Sequence, residues 1–281
     1  MTTTQTTQNQ NKLKITTFNI LAPCYKRLNP GRESTKPELW KSRQTDILDL
    51  LSSTKSDIFC IQELWFDTLF MDKVKQKFSG YEGIGVKRPN RMDGLGIFVK
   101  KSTYNLVDFE SLTLNDEGYR VALLAHIQSK SDPSMEFLIV NTHLTFPHTK
   151  LELKLRLWQV KRITKWIKRI NATKNLPVIF TGDFNLIHDN VYRHVKKLGF
   201  ESCFKQANKK EPYVTHQNHR SEQVCTDFIF LKTSTNCKTK CTSNKSYLLP
   251  KGLSDENFPK EFSISDHRPL VSKLSFEQKN N

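Results

Sequence analysis

This sequence predicts an α/β fold in which mixed β-sheets carry helices on their outer faces. Three observations lead there. Short apolar runs rich in Ile, Val, Phe and Leu recur between polar or turn residues, amphipathic stretches of helical period separate some of them, and other runs follow one another directly. A simple βαβ array would alternate throughout, so the mixture argues for mixed sheets clad in helices. No pool of Gly, Pro or Ser interrupts the 281 residues, a length that suits one large domain with a substantial core.

Taken in order, residues 1–12 (MTTTQTTQNQNK) are polar and of low complexity, and are expected to form a disordered tail because they bury too little to offset their ordering entropy. The domain is expected at 13–276, followed by a short tail at 277–281. Lys14–Ile20 reads as the first strand. The helix Pro37–Leu51 has Pro in its first turn and sets Trp40, Ile47, Leu48 and Leu51 on one face. Strand Asp57–Ile61 precedes a helix Thr68–Phe78, whose inner face is read as Leu69, Phe70, Val74 and Phe78. Gly94–Lys100, Arg120–Ile127 and Glu136–Asn141 are consecutive strands. The longest helix, Leu151–Ile170, is followed by strand Pro177–Thr181 and a helix Asn190–Leu198 that stops at Gly199. Strands Thr226–Leu231 and Pro269–Phe276 complete the set.

No apolar run is long enough to cross a bilayer, and the N-terminus lacks the apolar segment of a secretory signal. The expectation is a soluble, intracellular protein, cytoplasmic or nuclear. Six cysteines fit reduced structural thiols, since Cys237 and Cys241 with His216 and His219 match no standard zinc spacing. The formal charge of +16 favours a polyanionic partner, either nucleic acid or an anionic lipid surface.

The chemistry-bearing residues collect where strands end. Asn19 closes ITTFN, Glu63 follows DIFCIQ, and Asn141 and His143 follow EFLIV. Asp183 and Asn185 follow PVIFTG, Asp227 opens DFIFL, and Asp266 and His267 precede the last strand. Each alone is ordinary: a Glu after a strand is usually solvated, and GDFN could be a turn. As an ordered set they are costly to desolvate unless paired or bound to something. Gathered at one rim they form an oxygen-rich cup suited to a hard cation such as Mg²⁺, to a carboxylate that activates water, and to an imidazole held by a second carboxylate.

The motifs TFN (Asn19), IQE (Glu63), NTHL (His143), GDFN (Asp183, Asn185), TDFIF (Asp227) and SDHRPL (Asp266, His267) together resemble the endonuclease/exonuclease/phosphatase superfamily, from Lys14 to Phe276. The resemblance implies a four-layer αββα sandwich with two mixed β-sheets, related to deoxyribonuclease I and the major apurinic endonucleases. It implies Glu63 as principal Mg²⁺ ligand, with Asn19 and Asp266 near the metal or its waters, and Mn²⁺ as a substitute. Asp183 would position or activate water, Asn185 contact the scissile phosphate, and His267, held by Asp227, hydrogen-bond that phosphate. His143 would be a second phosphate contact or proton donor. Phe228 departs from the Tyr frequent in relatives after the Asp.

TFNILAPCY resembles the carbon catabolite repressor-type deadenylases and nocturnin, and RVALLAHI, NTHLTFPH and VTHQNHR are similar to plant and protist relatives of that branch. This implies nuclease action on RNA. A sphingomyelinase-like phospholipid phosphodiesterase shares the core and stands as the alternative; a non-catalytic nucleic-acid-binding module is disfavoured by the intact motif set. Arg120, His219 and Arg220 are candidate substrate contacts, near Phe146, His148 and His216. The basic residues of Leu151–Ile170, Arg156 among them, read as a solvated face, a phosphate-tracking surface or a contact for anionic lipid.

Overall fold

The computed structural model describes residues 11–116, 118–185, 189–234 and 237–279. The expected tail therefore lies outside the described residues through position 10. The chain forms β1 (Lys12–Asn19), α1 (Pro37–Thr54), β2 (Ile58–Trp65), α2 (Thr68–Lys77), β3 (Tyr81–Lys87), β4 (Asp93–Lys100), β5 (Tyr104–Thr113), β6 (Val121–Ser129), β7 (Glu136–His143) and α3 (Lys150–Ile170). Then come β8 (Val178–Asp183), α4 (Asn190–Lys197), β9 (Glu201–Ser202), α5 (Cys203–Asn208), β10 (His216–Gln217), β11 (Gln223–Val224), β12 (Asp227–Lys232), β13 (Thr239–Leu248) and β14 (Leu270–Gln278). Lys12, assigned above to the tail, pairs with Ser275, and Glu277 and Gln278 pair with β13, so the ladders run slightly past the expected domain ends.

Two six-stranded sheets result, ordered β13-β14-β1-β2-β4-β3 and β5-β6-β7-β8-β12-β9. Each contains one parallel pair, β1 with β2 and β7 with β8, among antiparallel neighbours. The period-2 pattern of β6 shows how the layers form. Val121, Leu123, Ala125 and Ile127 join Ile15, Ile58 and Ile97 between the sheets, while Ala122 and Leu124 face outward onto Val160, Ile163 and Ile167 of α3. The first sheet is covered by α1 and α2 through Trp40, Ile47, Leu51, Phe70 and Val74. The order is therefore helix, sheet, sheet, helix, as the four-layer reading implies.

Some helical positions differ from expectation. Leu69 is 73% exposed, because α2 turns Phe70 and Val74, with Met71 beside them, toward the sheet. Arg156, counted above with the solvated cations, is fully buried; it pairs with Asp189, which caps α4, and its Nη1 donates to Phe184 O at 3.3 Å. It ties α3 to the GDFN turn and to the start of α4.

The sheets are also joined by polar contacts. Gln62 Nε2 donates to Asn141 Oδ1 at 2.7 Å, and Asn141 Nδ2 donates to Ile61 O and Gly96 O. Asn141, read above with the strand-end polar set, thus serves the sandwich interior. Beside it β7 and β8 approach so closely that a Cβ on Gly182 (φ +136°) would stand 1.9 Å from Thr142 O. Gly182→Ala is expected to destabilise the fold by about 3 kcal/mol, since both backbone angle and space exclude a side chain; a lowered urea midpoint with unchanged slope would show it. Among the described residues no helix is long and apolar enough to cross a membrane.

Candidate active site

The parallel pairs bring their C-terminal ends to one rim, and four expected residues ride on them. Asn19 ends β1, and its Nδ2 donates to Glu63 Oε1 at 3.2 Å and Asp183 Oδ2 at 3.1 Å. Glu63 lies within β2, not after it, at an irregularity where pairing to β4 shifts between Gln62 and Leu64. Its φ of +56° is rare for a non-glycine residue and aims the carboxylate back so that Oε2 accepts from Ala22 N at 2.7 Å. His143 ends β7 opposite Asp183 at the end of β8, with Nε2 3.3 Å from Asp183 Oδ2. Asn185, also at positive φ, donates to Leu144 O while its N–H reaches Asp183 Oδ1 at 2.8 Å.

From the other side, Asp227 opens β12 directly across from Asp183. Its Oδ2 accepts His267 Nδ1–H at 2.9 Å, and His267 Nε2 faces Asp183 Oδ2 at 3.6 Å and Asp266 Oδ1 at 3.9 Å. Ser265 holds this turn against β1: its hydroxyl donates to Asn19 O at 2.8 Å and accepts from His267 N. The proposed catalytic and metal residues, Asp227 apart, line one cleft of about 370 Å³, with Asp227 behind His267.

Burial sets the electrostatics. It pushes Glu63 up to about 7, with the charges of Asp266 and Asp93 adding to the shift, and it raises Asp183. His143 is held well below its usual range by burial and then by Arg120 and Arg88, so it is neutral at pH 7. Burial opposes charge on His267 too, but Asp227, Asp183 and Asp266 override it and lift the imidazole to about 10. The site thus contains a neutral imidazole and a cationic one, set apart by their neighbours.

Of the expected substrate contacts, Arg120 lines the cleft with its Nε and Nη1 buried and unpartnered. His219 lines its mouth in an aromatic cluster with Phe146 (5.4 Å) and His148 (5.6 Å). Arg220 is exposed and is not among the cleft-lining residues; its N–H closes a turn on Asn218. Arg88, paired with Asp93 and Tyr25, was not foreseen; nor was the face-to-face packing of His216 on His267, at 3.9 Å and 8°. The HQ strand that delivers His216 is only two residues long, too short for periodicity to mark.

The donor set suits a hard divalent cation. Asp266 Oδ1 is buried with no hydrogen bond, and Glu63 is raised by burial and by neighbouring carboxylates, so positive charge is wanted at this spot. Tight groupings also centre on His267: His216, Asp266 and His267, or Asp183, Asp227 and His267, bring one ligand atom each within 4.8 Å of one another.

Comparison with known proteins agrees with this geometry. Residues 16–267 match the Endonuclease/Exonuclease/phosphatase family. An uncharacterised calcium-binding protein of Arabidopsis thaliana is 34% identical over 247 residues, 79% of this chain and 51% of that protein. Nocturnin of Drosophila melanogaster is 25% identical over 188 residues, 62% of this chain and 28% of that one. The human nocturnin catalytic domain with bound sulfate superposes with a TM-score of 0.74 at 23% identity, covering 95% of each chain. The chain spans about half the length, or less, of these curated relatives. From the ordered motifs, the paired mixed sheets and the family match, the chain belongs to the endonuclease/exonuclease/phosphatase family.

Proposed function

We propose that the chain is a metal-dependent phosphodiesterase that cleaves RNA by in-line attack of water. The observation that most supports this is His267, a buried imidazole locked by Asp227 and turned toward Asp183 in a cleft whose carboxylates are ringed by arginines. Glu63, Asn19 and Asp266 would hold Mg²⁺, or Mn²⁺ in its place; when bound, the ion neutralises phosphate oxygens. Asp183, made more basic by burial, orients a water and accepts its proton. Asn185 keeps one N–H for a phosphate oxygen after donating the other to Leu144 O. His267 donates Nε2–H to charge developing on the phosphorus-bound oxygens, and neutral His143 adds a hydrogen bond beside it.

A nucleotide is favoured over a phospholipid by the Phe146, His148 and His219 cluster, which offers ring faces at the cleft mouth. Bases stack on such faces whatever their sequence. Phe146→Ala with His219→Ala is expected to raise KM for RNA about tenfold while kcat changes little. The deciding assay compares end-labelled poly(A) RNA, single-stranded DNA and sphingomyelin with Mg²⁺, using EDTA and Asp183→Ala as controls. RNA cleavage lost in both controls supports the proposal. Release of choline phosphate without RNA cleavage would move the protein to lipid chemistry.

A further inference from the structure

The proposed reaction engages only the N-terminal approach to α3, where His148 lines the cleft two residues before the helix begins. The rest of its outer face is exposed and unusually composed. Leu151, Lys154, Trp158, Arg162, Lys165 and Arg169 follow one another at steps of three or four and share one stripe, on which Arg169 is already paired with Glu110 at 3.6 Å. Leu151 is 70% and Trp158 39% exposed, so large apolar groups stand in water among cations. Trp158 lies under the Arg162 guanidinium at 4.9 Å. The helix's single acid, Glu152, is turned away into the N-terminal cap with Thr149.

Beside the C-terminal half of this ridge lies a groove of about 830 Å³. Its floor includes Ile167, Leu176, Val178, Leu198 and Phe200. Lys161, Lys165, Lys168 and Lys232 stand around it, and no carboxylate is among the described residues that line it. A nucleic acid can stack a base on Trp158, but neither the apolar floor of the groove nor the exposed Leu151 serves such a ligand. Anionic bilayers present both requirements together: fixed negative charge at the surface and hydrocarbon just beneath. Trp is suited to that boundary, having an apolar body and a polar N–H.

We propose that the outer ridge of α3, with the adjoining groove, docks on an anionic phospholipid surface. The cations meet the headgroups, Leu151 and Trp158 enter the interface, and the groove shelters hydrocarbon that the ridge displaces. Since the helix starts beside the cleft, docking along it places the cleft mouth at the membrane edge.

Docking does not rest on the proposed reaction, and the test runs in EDTA. Vesicles of phosphatidylcholine, alone or mixed with phosphatidylserine, are floated with the full chain. The protein is expected to rise only with the anionic vesicles. Lys165→Gln with Lys168→Gln is expected to reduce partitioning about twentyfold, and Trp158→Ser about fivefold. Lys41→Gln with Lys240→Gln removes equal charge from exposed positions elsewhere and is expected to leave most of the binding intact. Equal loss in both double variants, no effect of Trp158→Ser, or a loss of RNA binding in place of vesicle binding would each overturn the proposal. Circular dichroism spectra matching the native chain exclude unfolding as the cause of any loss.

Discussion

Asp183→Asn is expected to lower kcat about 10⁴-fold while leaving thermal stability equal or higher, the first at the upper end of what a positioned base contributes. The two effects have one cause. Asp183 is 1% exposed, burial raises its pKa, and Asp227 adds a second negative charge across the β8–β12 pair. Folding therefore works against the charged carboxylate, whose proper use is to receive a proton. The amide keeps a carbonyl for Asn185 N–H and removes a charge that burial and Asp227 oppose, which offsets the loss of the Asn19 bond and of the attraction to His267, but it cannot act as a base. Single-turnover rates and a thermal melt on the same preparation decide it. A melting temperature that falls with the rate would make Asp183 a structural residue and sink the assignment.

The other large effect is expected just behind the cleft, at Arg43, which is not among its lining residues. This side chain, 4% exposed on α1, donates Nε to Glu33 at 2.9 Å, Nη1 to Ile20 O and Ile264 O, and Nη2 to Leu21 O. Ile20 and Leu21 follow Asn19, and Ile264 precedes the Ser265 turn, so one guanidinium pins two edges of the cleft. Arg43→Leu leaves Glu33 charged and buried, and is expected to destabilise the protein by about 3–5 kcal/mol. Slack at Asn19 and Asp266 is expected to lower kcat a further 10²-fold or so in the folded fraction, as about 1 Å of misplacement does. Arg43→Leu with Glu33→Leu should recover much of the stability and little of the rate. Recovery of both in urea titrations and initial rates would show that Arg43 only balances a charge.

How much could be read from sequence follows from where each strand lies. The strands foreseen are the central ones, buried on both faces and therefore written as apolar runs: β1, β2, β4, β6, β7, β8, β12 and β14. The missed long strands, β3, β5 and β13, are sheet edges. YNLVDFESLT and TKCTSNKSYL carry polar side chains along one open flank, which guards an edge against further pairing and erases the pattern that would reveal a strand. In the site, residues with a chemical signature stood out, whereas Arg88 did not, and His216 reads only as a neighbour of the substrate contacts and not as a partner of His267. Arg88 meets Asp93 across the turn between β3 and β4 and Tyr25 from a distant loop, and His216 meets His267 from the short β10, contacts that neither motif nor periodicity announces. Glu63 was placed one step too late because a bulge at positive φ leaves no mark in IQE.

The division of the cleft between the two sheets has a kinetic corollary. Asn19 and Glu63 belong to one sheet, His143, Asp183 and Asp227 to the other, and each hydrogen-bond network between them exists only while the layers are seated face to face. A loosened, expanded state that kept both sheets hydrogen-bonded would retain its far-ultraviolet signal yet possess no assembled centre. Inactivation by mild denaturant would then run ahead of the loss of secondary structure, making turnover the most sensitive gauge of whether the two halves of the sandwich remain in register.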